Sequence, residues 1–171
     1  MKLIIKRRIT ALVALFVSGL MAACGPHCTS RSTETLTVYE DAPTLTPLDL
    51  GPPGNSPGDL YYFSAALHSS PGGPVNGEVF GSKTLVKLAA QANANSEKRA
   101  TLLFFTFHGG QDQIIALGAG DYPSTAAEFE ADHPVVRAIL GGTGNYIGAR
   151  GQLTSTRNKD GSYTQVFTLL K

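Results

Sequence analysis

The chain has 171 residues, a formal net charge of +1 from 14 basic and 13 acidic side chains, and two cysteines. Such a length suits one domain with a full hydrophobic core. The charge is balanced and no basic cluster follows residue 23, which argues against a nucleic-acid-binding protein, because that function depends on many lysine and arginine contacts to phosphate. Both cysteines lie within the first 28 residues, so the remainder must fold without a disulfide.

Residues 1–23 are predicted to be a signal peptide. Lys2 and the basic residues at positions 6–8 form a positive n-region. Residues 9–20 form an apolar h-region that is too short for an ordinary transmembrane helix. Cleavage would leave 14 − 4 = 10 basic against 13 acidic residues. The mature protein would then be exported and weakly acidic.

The residues around Cys24 leave two destinations open. Residues 20–24 resemble a bacterial lipobox, which implies that Cys24 is lipidated and anchors the protein to the cell envelope, although Met21 stands where leucine is usual. The alternative is a freely secreted protein. Cys24 and Cys28 have C-x₃-C spacing, and no other cysteine or histidine is near enough to complete a metal shell. Residues 24–34 are predicted to be a Ser/Thr-rich tether.

Residues 35–171 are predicted to form a single all-β domain of eight short strands. The intervening segments at 43–58, which contain five prolines, and at 90–98 are predicted to be loops, as is most of 121–134. This pattern favours a β-sandwich or a β-barrel. The strands are expected at residues 35–39, 59–67, 77–89, 101–108, 113–118, 135–140, 146–156 and 163–170.

The predicted strand at residues 101–108 is apolar on both faces. Leu102 and Phe104 fall on one face, and Leu103, Phe105 and Phe107 fall on the other. A strand with one solvated face would carry polar residues there. We therefore expect one face to pack inside the domain and the other to be covered by another subunit.

A glycine-rich stretch at residues 141–151 reads Gly-Gly-Thr-Gly-Asn-Tyr-Ile-Gly-Ala-Arg-Gly. A dinucleotide-binding loop needs G-x-G-x-x-G at the start of a helix. Here Gly148 is one residue out of place, and a strand-like composition follows. We instead expect Gly144 to adopt a positive φ in a tight turn and residues 145–156 to form a strand.

The glycine-rich stretch resembles the signature of the allene oxide cyclase and dirigent superfamily, GGTG-x-[YF]-x-x-A-R-G. Residues 58–63 with Leu67 and Gly77, and the Gly-Ala-Gly at 118–120, resemble two weaker family segments. The resemblance spans residues 34–171. It implies an eight-stranded antiparallel β-barrel with an interior pocket, and, from the plant members, a homotrimer. Proteins of this kind fold or orient a reactive small molecule without a cofactor.

No cofactor motif, metal-ligand cluster or G-x-S-x-G nucleophile occurs in the sequence, so neither a cofactor nor a metal is predicted. His68, His108 and His133 are interpreted as surface or turn residues, and no catalytic residue is assigned. Asn145 stands where some dirigent proteins have an aspartate. The expected ligand-binding residues of the pocket are Asp41, Tyr61, Phe63, Glu78, Phe105 and Arg150.

Three functions remain open from the sequence. The first is an exported barrel that binds an apolar small molecule in its interior. The second is a cofactor-free isomerase or cyclase, or a dirigent-type stereochemical guide, acting on a reactive intermediate. The third is a structural envelope protein without a ligand.

Overall fold

The structure, a computed structural model, describes residues 32–92 and 95–171. The predicted signal peptide, Cys24, Cys28 and the tether up to residue 31 lie outside these ranges. Within them, no helix combines the length and the apolar composition required of a membrane span.

Nine β-strands make up most of the described chain. A one-turn α-helix, α1 (Ala89–Ala92), precedes the fifth strand, and single 3₁₀ turns occupy His108–Gly110 and Gly144–Tyr146. The strands are β1 (Thr33–Glu40), β2 (Thr44–Leu48), β3 (Leu60–His68), β4 (Val75–Lys87), β5 (Ser96–Phe107), β6 (Asp112–Pro123), β7 (Val135–Thr143), β8 (Gly151–Arg157) and β9 (Tyr163–Leu170).

Eight of the strands close into an antiparallel barrel in the order β1-β9-β8-β7-β6-β5-β4-β3, with β1 returning to β3. The closing seam is short, since only Tyr39 and Glu40 of β1 pair with β3. β2 pairs with the remainder of the same β3 edge. The eight-stranded barrel expected from the sequence is therefore confirmed.

β2 lies within the segment that the sequence predicted to be a loop. Its Pro47 lacks a backbone donor, which is tolerated here because β2 is an edge strand with one neighbour. The predicted loop at 90–98 is also shorter, because it contains the end of α1 and the start of β5. Prolines hid the strand β2, and the polar composition of residues 90–98 hid the start of β5. In both strands, pairing with a neighbouring strand stabilises the extended backbone.

The signature stretch is mostly a turn and not the strand predicted for residues 145–156. Residues 144–146 form a 3₁₀ turn, and β8 begins only at Gly151. Gly144 has φ = +57°, so the expected left-handed conformation is confirmed. Gly148 also has positive φ, at +78°. Two left-handed residues within five positions reverse the chain, and an extended strand cannot contain them.

Asp112 holds this turn against the start of β6. Its buried carboxylate accepts hydrogen bonds from the backbone nitrogen of Asn145 at 2.9 Å and from the Asn145 side-chain amide at 2.8 Å. His108 Nδ1 lies 2.7 Å from the same carboxylate. These bonds, the backbone one first, lower the pKa of Asp112. Asn145 therefore has a structural partner in this protein.

The barrel interior has an apolar half and a polar half. On β5, the inward residues Leu103, Phe105 and Phe107 are buried in the apolar half. At the other end of β5, Arg99 and Thr101 are equally buried. We call this end, with its charged and hydroxyl side chains, the polar half. Its inward residues are Glu40, Lys83, Glu97, Arg99, Thr101, Tyr122, Arg137, Ser155, Tyr163 and Gln165.

The apolar half is filled by side chains. Phe105 and Phe167 pack edge to face with ring centroids 4.9 Å apart, and both are fully buried. On the outer surface, Phe80 stacks on Phe104 at 5.3 Å beside the exposed Tyr62. The two apolar faces of β5 expected from the sequence are thus confirmed, and coverage of the outer one by a second subunit stays a prediction.

Substituting alanine for Gly144 should destabilise the barrel. A Cβ at this position would lie 2.0 Å from Oδ1 of Asp112 and would add the strain of a positive φ. We expect Gly144→Ala to lower the free energy of unfolding by about 1–3 kcal/mol, measured by urea denaturation. Gly141→Ala is the matched control, since that glycine has an ordinary φ and no atom within 4 Å of its Cβ position. Equal stability of both variants would show that the left-handed turn at Gly144 and its contact with Asp112 do not stabilise the barrel.

Candidate functional site

The polar half encloses a cavity of about 20 Å³. This volume holds about one water molecule. Its walls carry more ionisable and hydroxyl groups than a structural core needs, among them Glu40, Lys83, Tyr122, Arg137 and Tyr163. Burying such groups costs free energy unless each is paired, so their concentration here marks a candidate site.

Glu40 is the acidic group of this cavity. It ends β1 at the barrel seam and is 4% exposed. Gln165 on β9 donates a hydrogen bond to its Oε2 at 2.6 Å. Burial raises the pKa of Glu40 from 4.5 to about 7, although the Gln165 hydrogen bond opposes the change. The carboxyl group therefore exchanges its proton near neutral pH.

A chain of hydrogen bonds joins Glu40 to Arg137 across four strands, β1, β9, β8 and β7. Arg137 Nη1 donates to Ser155 Oγ at 2.9 Å, and Ser155 donates to Oε1 of Gln165 at 2.6 Å. The other amino group of Arg137 lies 3.3 Å from the Tyr122 hydroxyl. Arg137 is 3% exposed, and its Nε has no hydrogen-bond partner within residues 32–92 and 95–171.

Lys83 is the second cation of the cavity. It forms an ion pair with Glu128, and the Tyr163 hydroxyl donates to the other oxygen of that carboxylate. Burial lowers the pKa of Lys83, and the charge of Glu128 opposes this shift. Burial, together with Glu128, raises the pKa of Tyr163. Lys83 Nζ also lies 5.3 Å from the ring centroid of Phe63.

Arg99 and Glu97 form a buried ion pair at the mouth of the polar half. Arg99 Nε donates to Oε1 of Glu97 at 2.7 Å, and its guanidinium lies 4.9 Å from the ring centroid of Tyr61. Asn55, from the segment between β2 and β3, donates to Oε2 of Glu97 at 3.0 Å. The segment that contains Asn55 is therefore fixed to the mouth of the barrel.

The segment between β6 and β7, residues 124–134, covers the polar half; we call it the β6–β7 loop. Its Phe129 is 4% exposed and lines the cavity with Glu128. Arg99 Nη1 donates to the carbonyl oxygen of Ala127 at 2.8 Å. Side chains of the barrel wall therefore hold this loop over the cavity.

The six ligand-binding residues expected from the sequence are not brought together. Phe63 lines the cavity, Tyr61 faces Arg99 at the mouth, and Phe105 lies in the packed apolar half. The three charged candidates are exposed: Asp41, Glu78 and Arg150.

The three exposed candidates lie at separate places on the outside of the barrel. Asp41 lies 3.1 Å from Nε2 of His68 at the seam, where this contact raises the pKa of the histidine. Arg150 lies in the turn before β8, because the signature stretch is not a strand. Glu78 points outward from β4, on the opposite face from the buried Val79.

The sequence analysis missed Glu40, Lys83 and Arg137, although their spacing along the strands indicates that they are enclosed. On each strand the charged residue continues the two-residue spacing of the apolar inward face. Glu40 follows Leu36 and Val38 in this way. A charged residue in register with a buried face is enclosed by the barrel, whereas Asp41 falls one position out of register.

Comparison with known proteins supports the fold. No protein-family model and no curated protein sequence matches the chain. Among solved structures, it is similar to a pyocyanin demethylase, with 24% identity over 81% of this chain and 99% of that one and a TM-score of 0.58. It is also similar to the Diels Alderase AbmU from Streptomyces koyangensis, with 16% identity over 84% and 70% of the two chains and a TM-score of 0.57.

A third similar structure is the pterocarpan synthase dirigent protein GePTS1. It shares 13% identity over 90% of this chain and 97% of its own, with a TM-score of 0.55. At these identities the likeness establishes the fold alone. The chain shares its β-barrel fold with these three proteins, and the barrel expected from the sequence is confirmed.

Replacing Glu40 by glutamine should change how stability depends on pH. Because the pKa of Glu40 rises from 4.5 to about 7 on folding, its stabilisation is present below pH 4.5 and is lost as the pH rises through 7. We expect the wild type to lose about 2–3 kcal/mol from this group between pH 5 and pH 8, and Glu40→Gln to lose none of it.

Urea denaturation at the two pH values measures this difference. Glu78→Gln is the control, because Glu78 is exposed on β4 and should leave the pH dependence of the wild type unchanged. The same loss of stability in wild type and Glu40→Gln would show that Glu40 titrates normally.

Proposed function

We propose that the polar half of the barrel is an acid–base site, and that the protein is a cofactor-free isomerase or cyclase for a small molecule. One observation carries this proposal. Glu40, with a pKa of about 7, lines the same cavity as two cations and two tyrosine hydroxyls. A general acid or base is most effective when its pKa is near the working pH.

The proposed reaction moves a proton between two positions of one substrate. The Glu40 carboxylate accepts a proton from carbon next to a carbonyl group, and the carboxylic acid then returns it elsewhere in the same molecule. Arg137 and Tyr122 would donate hydrogen bonds to the oxygen on which negative charge develops. Atoms and charge balance within the substrate, so no further reactant is needed.

The proposed ligand site lies in the polar half of the barrel and is therefore not purely apolar. Side chains fill the apolar half, and the cavity of the polar half holds about one water molecule with the β6–β7 loop in place. The proposed ligand therefore enters the polar half as the middle of the loop moves out. Similar structures named as a demethylase and as a Diels Alderase support a chemical role over passive binding.

Export belongs to the proposal as a separate part. It is supported by the residue pattern at positions 1–24, with Cys24 as the site of lipidation. This part concerns where the protein acts and does not affect the chemistry of the polar half.

Proton exchange into a ketone tests the proposed chemistry. We expect the full chain to accelerate exchange of the acidic protons of 2-tetralone in deuterated buffer, followed by NMR, with a rate that rises through about pH 7 as Glu40 ionises. Glu40→Gln should lower the enzymatic rate by about 100-fold or more, because general base catalysis contributes at least this factor.

Phe129→Ala, which shortens the side chain that closes the site, should raise the rate. Glu130→Gln is the control for Glu40→Gln, since that carboxylate is exposed in the same loop. Rates for Glu40→Gln equal to those of the wild type would exclude Glu40 as the base.

A further inference from the structure

We infer that the polar half takes a planar aromatic carboxylate, and that the β6–β7 loop places Glu128 and Phe129 where the carboxylate and the ring of this ligand bind. The inference rests on the proposed function in one respect, the polar half being the ligand site. It adds the chemical class of the ligand. This class is inferred from the carboxylate of Glu128 and the ring of Phe129, which the loop inserts into the polar half.

The β6–β7 loop enters the barrel only at its middle. Thr125 and Ala126 are exposed, Phe129 is buried, and residues 132–134 are exposed again. The backbone is anchored on both sides, by Ala126 N to Pro123 O at 3.1 Å and by Asp132 N to Arg157 O at 2.8 Å. In the described part of the chain, no backbone–backbone hydrogen bond joins residues 128–131 to the barrel. Side chains therefore hold the inserted residues.

Glu128 supplies an anion to the barrel wall. Its carboxylate pairs with Lys83 and accepts the Tyr163 hydroxyl. The side chains of Lys83 and Glu128 are only 5% and 16% exposed. Lys83 Nζ also donates to the carbonyl oxygen of Ala127 at 3.3 Å. A carboxylate of a separate molecule could make the same two contacts that Glu128 makes.

Phe129 occupies a slot built for a flat ring. Tyr122 and Tyr163 approach it edge to face, with centroid distances of 5.8 Å and 5.4 Å. The guanidinium carbon of Arg137 lies 5.8 Å from the same ring centroid. The walls come from β6, β7 and β9 and belong to the barrel. The slot therefore persists when the loop leaves, and it favours an aromatic ring whose face can meet a cation.

The charges of the polar half favour an anion in place of Glu128. Without that residue, the three cations Lys83, Arg99 and Arg137 face the two carboxyl groups of Glu97 and Glu40. Glu97 is already paired with Arg99, and Glu40 is half protonated near pH 7. Lys83 would then be a buried cation without a carboxylate, which is costly.

Arg137 adds an independent indication of a ligand. Arg137 is only 3% exposed and lines the cavity. Within the described residues its Nε has no hydrogen-bond partner. An oxygen of a bound molecule could accept this hydrogen bond. An aliphatic acid would satisfy Lys83 but leave the slot empty, and a neutral aromatic molecule would fill the slot but leave Lys83 unpaired. A planar aromatic acid satisfies both.

Competition between the loop and the ligand provides the test. Calorimetric titration of the full chain with 2-naphthoate should give a dissociation constant about tenfold lower or better for Glu128→Gln than for the wild type, because the internal anion no longer competes. Glu130→Gln is the matched control: this carboxylate lies in the same loop, its side chain is 67% exposed, and its loss should not change the affinity.

Two further comparisons define the ligand class. In the Glu128→Gln background, 2-naphthamide and octanoate should each bind about tenfold more weakly than 2-naphthoate, one for lack of charge and the other for lack of a ring. Lys83→Met in the same background should remove the preference for the acid over the amide. Phe129→Ala provides a second opened variant if Glu128→Gln does not fold.

The possible results separate the inference from the proposed function. Equal affinity of wild type and Glu128→Gln for 2-naphthoate would overturn competition by the loop. Equal binding of amide and acid, or of octanoate and 2-naphthoate, would overturn the ligand class while leaving the polar half as a binding site. Failure of all three probes to bind folded Glu128→Gln and Phe129→Ala would overturn the ligand class and the proposed site together.

Discussion

Three cationic side chains enclosed in one half of a closed barrel impose a constraint that shapes the rest of the polar half. Lys83, Arg99 and Arg137 have left water, so each needs a partner of opposite charge or hydrogen-bonding capacity. Glu97 meets this need for Arg99 from the same strand. Lys83 obtains its partner from a loop, which must enter the barrel to provide it. The fold of the loop thus follows from the electrostatics of the interior.

The two halves of the barrel differ in how much of their side-chain chemistry stability can explain. Aromatic and aliphatic side chains fill the apolar half, and Asp112 fixes the turn at Gly144 outside it. Buried ion pairs add little net stability, and apolar replacements of similar size are often as stable. Stability alone therefore does not account for the polar half, and the acid–base site that we propose gives the buried Glu40 and Glu128 a chemical role.

Much of the fold could be predicted from the sequence, because alternation and turn glycines are local signals. The site could not, for two physical reasons. The residues expected in the pocket included Asp41 and Arg150, whose side chains the barrel leaves in solvent, while Glu40, next to Asp41, is enclosed. The insertion of Glu128 depends on contacts with strands distant in sequence, so no local pattern in residues 121–134 could indicate it. β2 was missed because its Pro47 and the preceding Pro43 mask an edge strand.

The central claim is that enclosure in the polar half makes Glu40 a proton-exchanging group at neutral pH. Carbon-13 NMR of the side-chain carboxyl of Glu40, assigned by its absence in Glu40→Gln, measures this directly as a function of pH in the full chain. The account predicts a titration midpoint near 7, shifted upward from 4.5 by burial. A midpoint near 4.5 would contradict it, because Glu40 would then be an ordinary ionised carboxylate throughout the neutral range.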